Sequence, residues 1–336
     1  MSLVSIITPC YNAEGFVGET IESVAAQTYP EIEHIVVDDC SSDGSWEVIR
    51  SYRDRVRALR LERNRGGSHA RNRGAELARG QFLMFLDADD VITPGTVAAL
   101  VEALRDHSRA VAACRWQRLV PRDGRWRLMA PEAPFPVAGD DHLRGWLGGI
   151  WVPPCAILWQ REVYELVGRW DERITWNDDG DLMMRALAHG VQLVLSDHEG
   201  ALYRAHGDSR VSLSTNYFTE RPLRSQMWVL ENLTAELQQL GKLPAYEEPI
   251  GVIYKKLAIL CFQQNYPVIG RECLQRGEAL IGGQVVCRTW MGRLLTRLVG
   301  VERKEQIANA LARRGLMTAE RNRFFNLRRV HDAAQC

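Results

Sequence analysis

The sequence predicts an α/β protein, with a mostly parallel, doubly wound central sheet in its first part and a helical region in its last part. Two observations carry this prediction. Short apolar runs alternate with helical patterns over roughly the first 107 residues, the order expected of strands and crossover helices in a parallel sheet. Beyond about Thr215 the strand patterns stop and helical patterns follow.

The elements follow from periodicity and from breaker residues. In the first part, buried strands are predicted at residues 4–8, 32–37, 56–61 and 82–86, with helices at 14–27 and 69–79. The middle part predicts strands at residues 111–116, 156–159, 191–195 and 200–204, a helix at 161–167, and a long loop or hairpin at 121–139. The last part predicts helices at residues 220–240, 249–264, 271–281 and 285–299.

The run at residues 82–86 ends abruptly in three carboxylates, Asp87, Asp89 and Asp90. A strand of this kind places negative charge at its carboxyl end, which is where open α/β sheets bind ligands. Clustered aspartates repel one another unless a cation or hydrogen-bond donors lie among them, and Mg²⁺ or Mn²⁺ suits such oxygen ligands. The alternative is a set of solvated acids, or a cap for the helix that begins near Thr93.

Composition excludes several classes of protein. The 336-residue chain has 42 Lys plus Arg and 42 Asp plus Glu residues. It therefore lacks the net positive charge that is typical of a nucleic-acid-binding protein. Its eight cysteines lack the spacing of a metal finger, which favours reduced thiols and a cytoplasmic location. The N-terminus lacks the basic region of a signal peptide, and no apolar run approaches the ~18 residues of a membrane span. Peripheral attachment at the inner face of the membrane stays open.

Two phosphate-binding motifs are absent. The loop after the first strand, residues 8–13, contains neither G-x-G-x-x-G nor G-x-x-x-x-G-K-[ST], so it does not wrap phosphate with backbone amides. It offers the flat ring of Tyr11 for stacking, and Asp39 after the second strand offers an acceptor for a base N–H.

Four segments resemble glycosyltransferase family 2. They are Val-Ser-Ile-Ile-Thr-Pro-Cys-Tyr-Asn from Val4, Val-Val-Asp-Asp-Cys-Ser-Ser-Asp-Gly from Val36, Gly-Ser-His-Ala-Arg-Asn from Gly67 and Phe-Leu-Asp-Ala-Asp-Asp from Phe85. The resemblance covers residues 3 to about 107. It implies the GT-A fold, an inverting transfer from a nucleotide-diphosphate sugar, and a divalent metal, Mn²⁺ or Mg²⁺.

The resemblance also implies roles for individual residues. Pro9, Tyr11 and Asp39 would hold a uracil-like base, which makes a UDP-sugar the expected donor. Arg71 would approach the diphosphate, Asp87 the ribose or the sugar, and Asp89 the metal, while Asp38 would serve the strand end. The predicted nucleotide-sugar site comprises Thr8, Pro9, Tyr11, Glu14, Asp39, Arg71, Asp87, Ala88 and Asp89.

A second signature lies in residues 168–185, where Asn-Asp-Asp-Gly-Asp-Leu precedes an apolar helix face. By resemblance to the family, Asp179 is the catalytic base, with Asp178 where Glu is commoner. The alternative is that these acids cap the helix. His206 in Tyr-Arg-Ala-His is a candidate metal ligand by the same resemblance, or else a surface histidine. Trp146, Trp151, Trp170 and Trp176 are candidates either for sugar stacking or for the core.

The predicted organisation has three parts: residues 1–109 as the nucleotide-sugar-binding half, 110–215 as the acceptor-binding half, and 216–336 as a helical region. The last is rich in arginine, and Leu294, Leu295 and Leu298 interleave with it, which is typical of an amphipathic interfacial helix. Membrane contact, packing and a homo-oligomer interface all stay open for this segment.

The predicted function is transfer of a sugar from a nucleotide-diphosphate sugar to the hydroxyl of a saccharide or lipid-linked acceptor, in glycan or cell-surface polysaccharide synthesis. Two alternatives are a sugar-1-phosphate nucleotidyltransferase, which would want a basic Gly-rich loop after the first strand, and a non-catalytic scaffold of the same fold. The acids at Asp39, Asp87, Asp89 and Asp179 disfavour the scaffold.

Overall fold

The computed structural model describes residues 1–131, 134–206, 218–286 and 290–313. It divides into two compact units. The first comprises Met1–His142 and Ile150–Thr215, and the second comprises Leu143–Gly149 and Asn216–Cys336. The predicted division of function at residue 110, within the first unit, stays a prediction.

The first unit is built on a nine-stranded sheet with the order β3-β2-β1-β4-β8-β6-β9-β5, and β7 pairs with β6 outside this path. Its strands are β1 (Val4–Cys10), β2 (Ile32–Asp38), β3 (Arg57–Arg60), β4 (Phe82–Phe85), β5 (Val91–Ile92), β6 (Ala110–Arg122), β7 (Arg125–Met129), β8 (Ile157–Gln160) and β9 (Gln192–Arg204). The predicted α/β class with a mostly parallel sheet is confirmed.

The sheet is parallel where the chain alternates regularly and mixed elsewhere. β1 pairs in parallel with both β2 and β4, and β2 with β3, so four strands run together. Beyond β4 the sheet is mixed, because β8 lies antiparallel between β4 and β6. Apolar content alone carries no information on strand direction.

Helices connect these strands, and their apolar faces supply part of the core. They are α1 (Val17–Ala25), α2 (Ser45–Ser51), α3 (Gly67–Leu77), α4 (Thr96–Ala103), α5 (His142–Leu147), α6 (Arg161–Leu166) and α7 (Asp178–Ala188). A short 3₁₀ turn, Pro154–Ala156, leads into β8. The β1 side chains Val4, Ile6 and Ile7 are fully buried, as a strand covered on both faces requires.

Two expectations for the middle of the chain need correction or refinement. The two strands predicted at residues 191–195 and 200–204 are one strand, β9, whose pairing with β6 shifts register next to Arg115. This irregularity carries the polar residues that looked like a loop. Residues 121–129 of the segment predicted as a loop or hairpin form the tip of the β6–β7 hairpin, whose turn residues Asp123 and Gly124 have φ values of 51° and 72°. Positive φ at both central residues is what the Asp-Gly turn of a tight hairpin requires.

The second unit is helical. Its helices beyond α5 are α8 (Glu220–Gln239), α9 (Glu247–Gln263), α10 (Pro267–Ile281), α11 (Trp290–Val299) and α12 (Val301–Arg313). The sequence analysis did not predict α12, because only Val301, Ile307 and Leu311 give its sequence an apolar pattern. Leu294, Leu295 and Leu298 are exposed on α11, while most of the C-terminal arginines lie outside the described residues.

Two further facts concern the described residues as a whole. Within them, no helix combines the length and the apolar composition needed to cross a bilayer. The six cysteines among them are free thiols: Cys10, Cys40, Cys114, Cys155, Cys261 and Cys273.

Candidate active site

The carboxyl ends of β1, β2 and β4 meet at one edge of the sheet, because the three strands run parallel side by side. Tyr11 follows β1, Asp39 follows β2, and Asp87 and Asp89 follow β4. The sequence prediction of a ligand-binding edge rests on this topology, and α/β sheets bind ligands at such edges.

Asp39 and Tyr11 form the side of this edge that was predicted to hold a base. Oδ1 and Oδ2 of Asp39 accept hydrogen bonds from the backbone N–H groups of Arg65 (2.9 Å) and Gly66 (2.7 Å). Burial raises the pKa of Asp39, while these two donors lower it. Each carboxylate oxygen keeps a second lone pair for a base N–H. The ring of Tyr11 is 51% exposed and open to stacking.

Other residues of the predicted nucleotide site have structural partners. The hydroxyl of Thr8 is buried and lies 2.9 Å from Nε2 of His34. Glu14 accepts a bond from the N–H of Gly44 (3.1 Å), which ties the first loop to the start of α2. Ala88 packs in the core, and Pro9 lies in β1 opposite Val37. The side chains of Thr8, Glu14 and Ala88 are therefore engaged within the protein.

Asp38 serves the end of β2, as the sequence suggested. Its carboxylate is fully buried, forms an ion pair with Nε of Arg60 (3.2 Å) and accepts a long bond from the N–H of Ser41 (3.3 Å).

Arg71 joins the two halves of the site. Its Nη2 donates to Oδ1 of Asp87 (2.6 Å) and its Nη1 to Oδ2 of Asp178 (2.9 Å), while the guanidinium lies 4.5 Å from the ring centre of Trp170. Burial opposes the charge of Arg71, but these two carboxylates raise the pKa of the guanidinium above its ordinary value. Arg71 therefore stays charged and holds Asp87 close to the segment that carries Asp178.

Glu172 reinforces the same connection, and the sequence did not indicate it. Its carboxylate lies 2.9 Å from Nδ1 of His69 and accepts a bond from Nδ2 of Asn72 (3.2 Å), both on α3. Asn72 also donates to the carbonyl of Trp170 (3.0 Å). The Gly-Ser-His-Ala-Arg-Asn segment around Arg71 thus anchors the loop that leads to α7.

Asp89 and His206, the two predicted metal ligands, lie together. Nε2 of His206 is 2.7 Å from Oδ2 of Asp89 although 117 residues separate them. Oδ1 of Asp90 accepts a bond from the N–H of Arg204 (2.8 Å), which ties the end of β9 to the turn after β4 and brings His206 to Asp89.

The donor set fits a divalent ion that is completed by substrate. Over the described residues, no three His, Cys, Asp or Glu side chains converge on one point. Mg²⁺ and Mn²⁺ commonly take one or two protein ligands plus substrate phosphates, which agrees with a carboxylate from Asp89 and an imidazole from His206. A nitrogen ligand favours the transition ion Mn²⁺ over Mg²⁺.

An aromatic cluster surrounds His206. The rings of Phe16 and Trp126 lie edge-on to the imidazole, with centroids at 5.0 Å and 5.5 Å. The guanidinium of Arg204 lies over both rings and donates to Glu19 (2.8 Å). The sequence analysis missed these contacts, because Phe16 and Trp126 are 110 positions apart in the chain and meet only through the β6–β7 hairpin.

Asp179 lies in the first turn of α7, after Asn177 in the left-handed region (φ 62°). The close approach of the Asn177 amide leaves no room for a Cβ at residue 180, which is glycine. The indole N–H of Trp151 donates to Oδ2 of Asp179, and Oδ1 accepts from the N–H of Gly180 (2.9 Å). Burial, and next the charge of Asp178, raise the pKa of Asp179 to about 6.

The three acids of α7 have different environments. Asp178 accepts bonds from Arg71 and from the hydroxyl of Ser68 (3.0 Å), and Asp181 forms a buried ion pair with Arg185 (2.8 Å). Asp179 instead accepts the indole N–H of Trp151, a contact that a simple helix cap does not need.

The four candidate tryptophans divide between core and site. Trp170 is buried against Phe85 (centroids 5.1 Å) and beneath Arg71, and Trp146 is buried and belongs to the second unit. Trp151 reaches Asp179 and packs edge-on against Trp116 and Tyr203, both at 5.1 Å. Trp176 lies directly before Asn177 and is half-buried.

Comparison with known proteins agrees with this fold. Residues 5–166 match the model of the family described as Glycosyl transferase family 2. The putative teichuronic acid biosynthesis glycosyltransferase TuaG of Bacillus subtilis (strain 168) is 35% identical over 150 residues, which are 44% of this chain and 59% of TuaG. The poly(ribitol-phosphate) beta-N-acetylglucosaminyltransferase TarS of Staphylococcus aureus (strain Mu50) is 27% identical over 250 residues, 72% of this chain and 42% of TarS.

Among solved structures, S. aureus TarS 1-349 in complex with UDP-GlcNAc superposes with a TM-score of 0.65 at 20% identity, covering 93% of this chain and 92% of that chain. The strand order and the carboxylates at the sheet edge define a protein of the GT-A-like class. Within that class, residues 5–166 of the chain are similar to glycosyltransferase family 2. The name of TuaG refers to teichuronic acid biosynthesis, and the name of TarS refers to poly(ribitol-phosphate).

Proposed function

We propose that this protein is an inverting, metal-assisted glycosyltransferase that moves a sugar from a UDP-sugar to an acceptor hydroxyl, with Asp179 as the general base. The observation that carries the proposal is the half-buried carboxylate of Asp179, which has a pKa of about 6 and accepts the indole N–H of Trp151. The neighbouring Asp178 is joined through Arg71 to the donor-side acid Asp87. The TarS complex with UDP-GlcNAc supports UDP as the nucleotide to test first.

Asp179 takes the acceptor proton. An acceptor hydroxyl is too weak an acid to ionise beforehand at neutral pH, so the proton moves to the carboxylate as the bond to the anomeric carbon forms. A carboxylate with a pKa of about 6 is a stronger base than an ordinary aspartate at ~3.9, and most of it remains deprotonated at pH 7.

The bond from the anomeric carbon to the diphosphate oxygen breaks as the new bond forms, and its electron pair leaves with UDP. Arg71 carries a fixed positive charge at the donor side, where it can approach the diphosphate. Asp89 and His206 would hold Mn²⁺, which supplies charge neutralisation for the departing diphosphate.

Tyr11 and Asp39 would hold the uracil, the first by stacking and the second through its remaining lone pairs. On this proposal residues 1–109 serve the donor and 110–215 the acceptor. The acceptor is a saccharide or a lipid-linked saccharide of cell-surface polymer synthesis, as the names of TuaG and TarS suggest.

A thermal-shift series with UDP, UDP-GlcNAc and a GDP-sugar, each with Mn²⁺ or EDTA, tests the donor. A ligand at a hundredfold excess over its Kd stabilises the folded state by about 2.7 kcal/mol, enough to rank donors. We expect UDP-GlcNAc with Mn²⁺ to stabilise most and to be slowly hydrolysed. Absence of stabilisation by every nucleotide sugar contradicts the proposal, and binding without any hydrolysis or transfer indicates a non-catalytic scaffold.

A further inference from the structure

The β6–β7 hairpin has two chemically different faces. Residues that stand directly opposite in an antiparallel pair share a face, and alternate residues of one strand change faces. Arg122 pairs with Arg125 and Val120 pairs with Arg127, so the side chains of these four residues lie on one face of the hairpin. This arginine face comprises Arg118, Val120, Arg122, Arg125, Arg127 and Met129. The opposite, apolar face comprises Leu119, Pro121, Trp126 and Leu128.

Contacts fix which way each face is turned. Trp126 of the apolar face packs against Phe16 (centroids 6.1 Å) and His206 (5.5 Å), so this face covers the predicted metal ligand. The arginine face is thus turned to the other side of the sheet.

The arginine face leads away from Asp179. In the parallel pairing of β6 with β9, Arg118 stands opposite Tyr203, so the two share a face. The ring of Tyr203 lies edge-on to Trp116 (6.1 Å) and Trp151 (5.1 Å), and Trp151 donates to Asp179. The row of arginines therefore begins where the aromatic cluster around the proposed base ends.

Three of the four arginines on this face have no acidic partner among the described residues. Residues 118–127 contain four arginines and one acid, Asp123. Arg122, Arg125 and Arg127 are exposed, and none of them forms an ion pair within the described part of the chain. Arg122 and Arg125 stand directly opposite each other, which is unfavourable for like charges. An anion that bridges the two side chains removes this repulsion.

We infer that the acceptor is a polyanion, a chain bearing repeated phosphate or carboxylate groups, and that it binds along the arginine face. Arg118 and Arg122 are four residues apart on one strand, a span of about 13 Å, so an extended chain with several anionic groups fits the row better than a single small anion. The inference rests on the proposed function for the position of Asp179, and it names the substrate class on the acceptor side of that site.

The test measures binding of the full chain to four probes: an inorganic polyphosphate chain, polygalacturonate, neutral dextran, and vesicles containing phosphatidylglycerol. The double variant Arg125→Gln/Arg127→Gln removes two charges from the face. Arg53→Gln/Arg105→Gln is the matched control, because it removes two exposed charges elsewhere in the same unit. Arg125→Lys/Arg127→Lys keeps the charge.

We expect the native protein to bind at least one of the two polyanions in a salt-sensitive manner, and dextran not at all. The double Gln variant should weaken this binding roughly tenfold to thirtyfold, while the control stays within about twofold and the Lys variant recovers most of the affinity. Polyphosphate and polygalacturonate distinguish phosphate from carboxylate as the recognised group.

Three outcomes overturn the inference: equal loss in the Gln variant and the control, no polyanion binding by the native protein, or an effect of the Gln variant on vesicles but not on polyanions. The last result would assign the face to a membrane. Stabilisation by UDP-GlcNAc is measured on every variant. If it is retained while the polyanion result is negative, the inference alone fails; if it is absent from the native protein, the proposed function fails.

Discussion

The indole N–H of Trp151 donates a hydrogen bond to the carboxylate of Asp179. This contact holds the proposed base in one orientation and joins it to the aromatic cluster formed with Trp116 and Tyr203. Burial and the charge of Asp178 raise the pKa of Asp179 to about 6, and the indole donor acts in the opposite direction. Trp151 therefore orients the carboxylate and lowers its pKa, against the larger effect of burial.

Asp179→Asn keeps the shape of the side chain but removes its ability to take a proton. Loss of a general base typically lowers kcat by ~10²–10⁴, and donor Kd should change little because the residue lies away from the nucleotide side. The measurement is kcat together with Kd for the UDP-sugar. Asp197→Asn, an exposed acid of the same unit with a 93% exposed side chain, is the control. If kcat stays within a few fold of the native value, Asp179 has a structural role and is not the base. If donor binding is lost together with activity, Asp179 supports the metal site or the fold instead.

Trp151→Phe should shift the pH profile. The indole hydrogen bond lowers the pKa of Asp179, so its removal raises that pKa above about 6. Because a general base acts in its deprotonated form, the acidic limb of kcat/KM should move to higher pH, with the largest loss near pH 6 and recovery above pH 8. The profile of Trp170→Phe, which alters a buried tryptophan packed against Phe85 and Arg71, gives the comparison. An equal loss at every pH would mean that Trp151 acts only through packing.

Asp89→Ala should abolish most of the transfer, and so should EDTA. Two unit charges ~4 Å apart at an effective dielectric of ~20 interact by about 4 kcal/mol, or roughly three decades of rate. The variant should also lose the additional thermal stabilisation that Mn²⁺ gives with UDP, a readout independent of turnover. Asp197→Asn again serves as control. Full turnover in EDTA would contradict the metal-assisted mechanism.

The exposed leucines of α11 predict contact with an apolar or interfacial surface. Leu294 and Leu298 lie four residues apart on one face, with exposures of 47% and 70%. Leu294→Glu/Leu298→Glu should abolish co-sedimentation with phosphatidylglycerol vesicles if this helix lies at a membrane, and leave UDP-GlcNAc stabilisation unchanged. If the native protein ignores such vesicles at low salt, the same variants are examined by sedimentation velocity. Dissociation of an oligomer would then assign the face to a second copy of the chain.

The sequence by itself determined the α/β class, the order of the first elements and the acids at the strand ends. Apolar runs of strand length alternate with helical segments there, so periodicity alone orders β1 to β4 and places Asp39, Asp87 and Asp89 at one edge. Asp179 was located through resemblance, since three neighbouring acids at a helix start do not by themselves distinguish a base from a cap.

Only the tertiary structure decided which side chains meet. The direction of β8, the continuous β9 and the contact of Asp89 with His206 depend on pairings across many residues, which local pattern does not encode. The pKa of Asp179 depends on burial and on Trp151, and both arise from the packing of separate segments. The two faces of the β6–β7 hairpin follow from its register. A shift of one residue would exchange the arginines for Trp126 and Leu128, so the register determines which chemistry each side of the sheet presents.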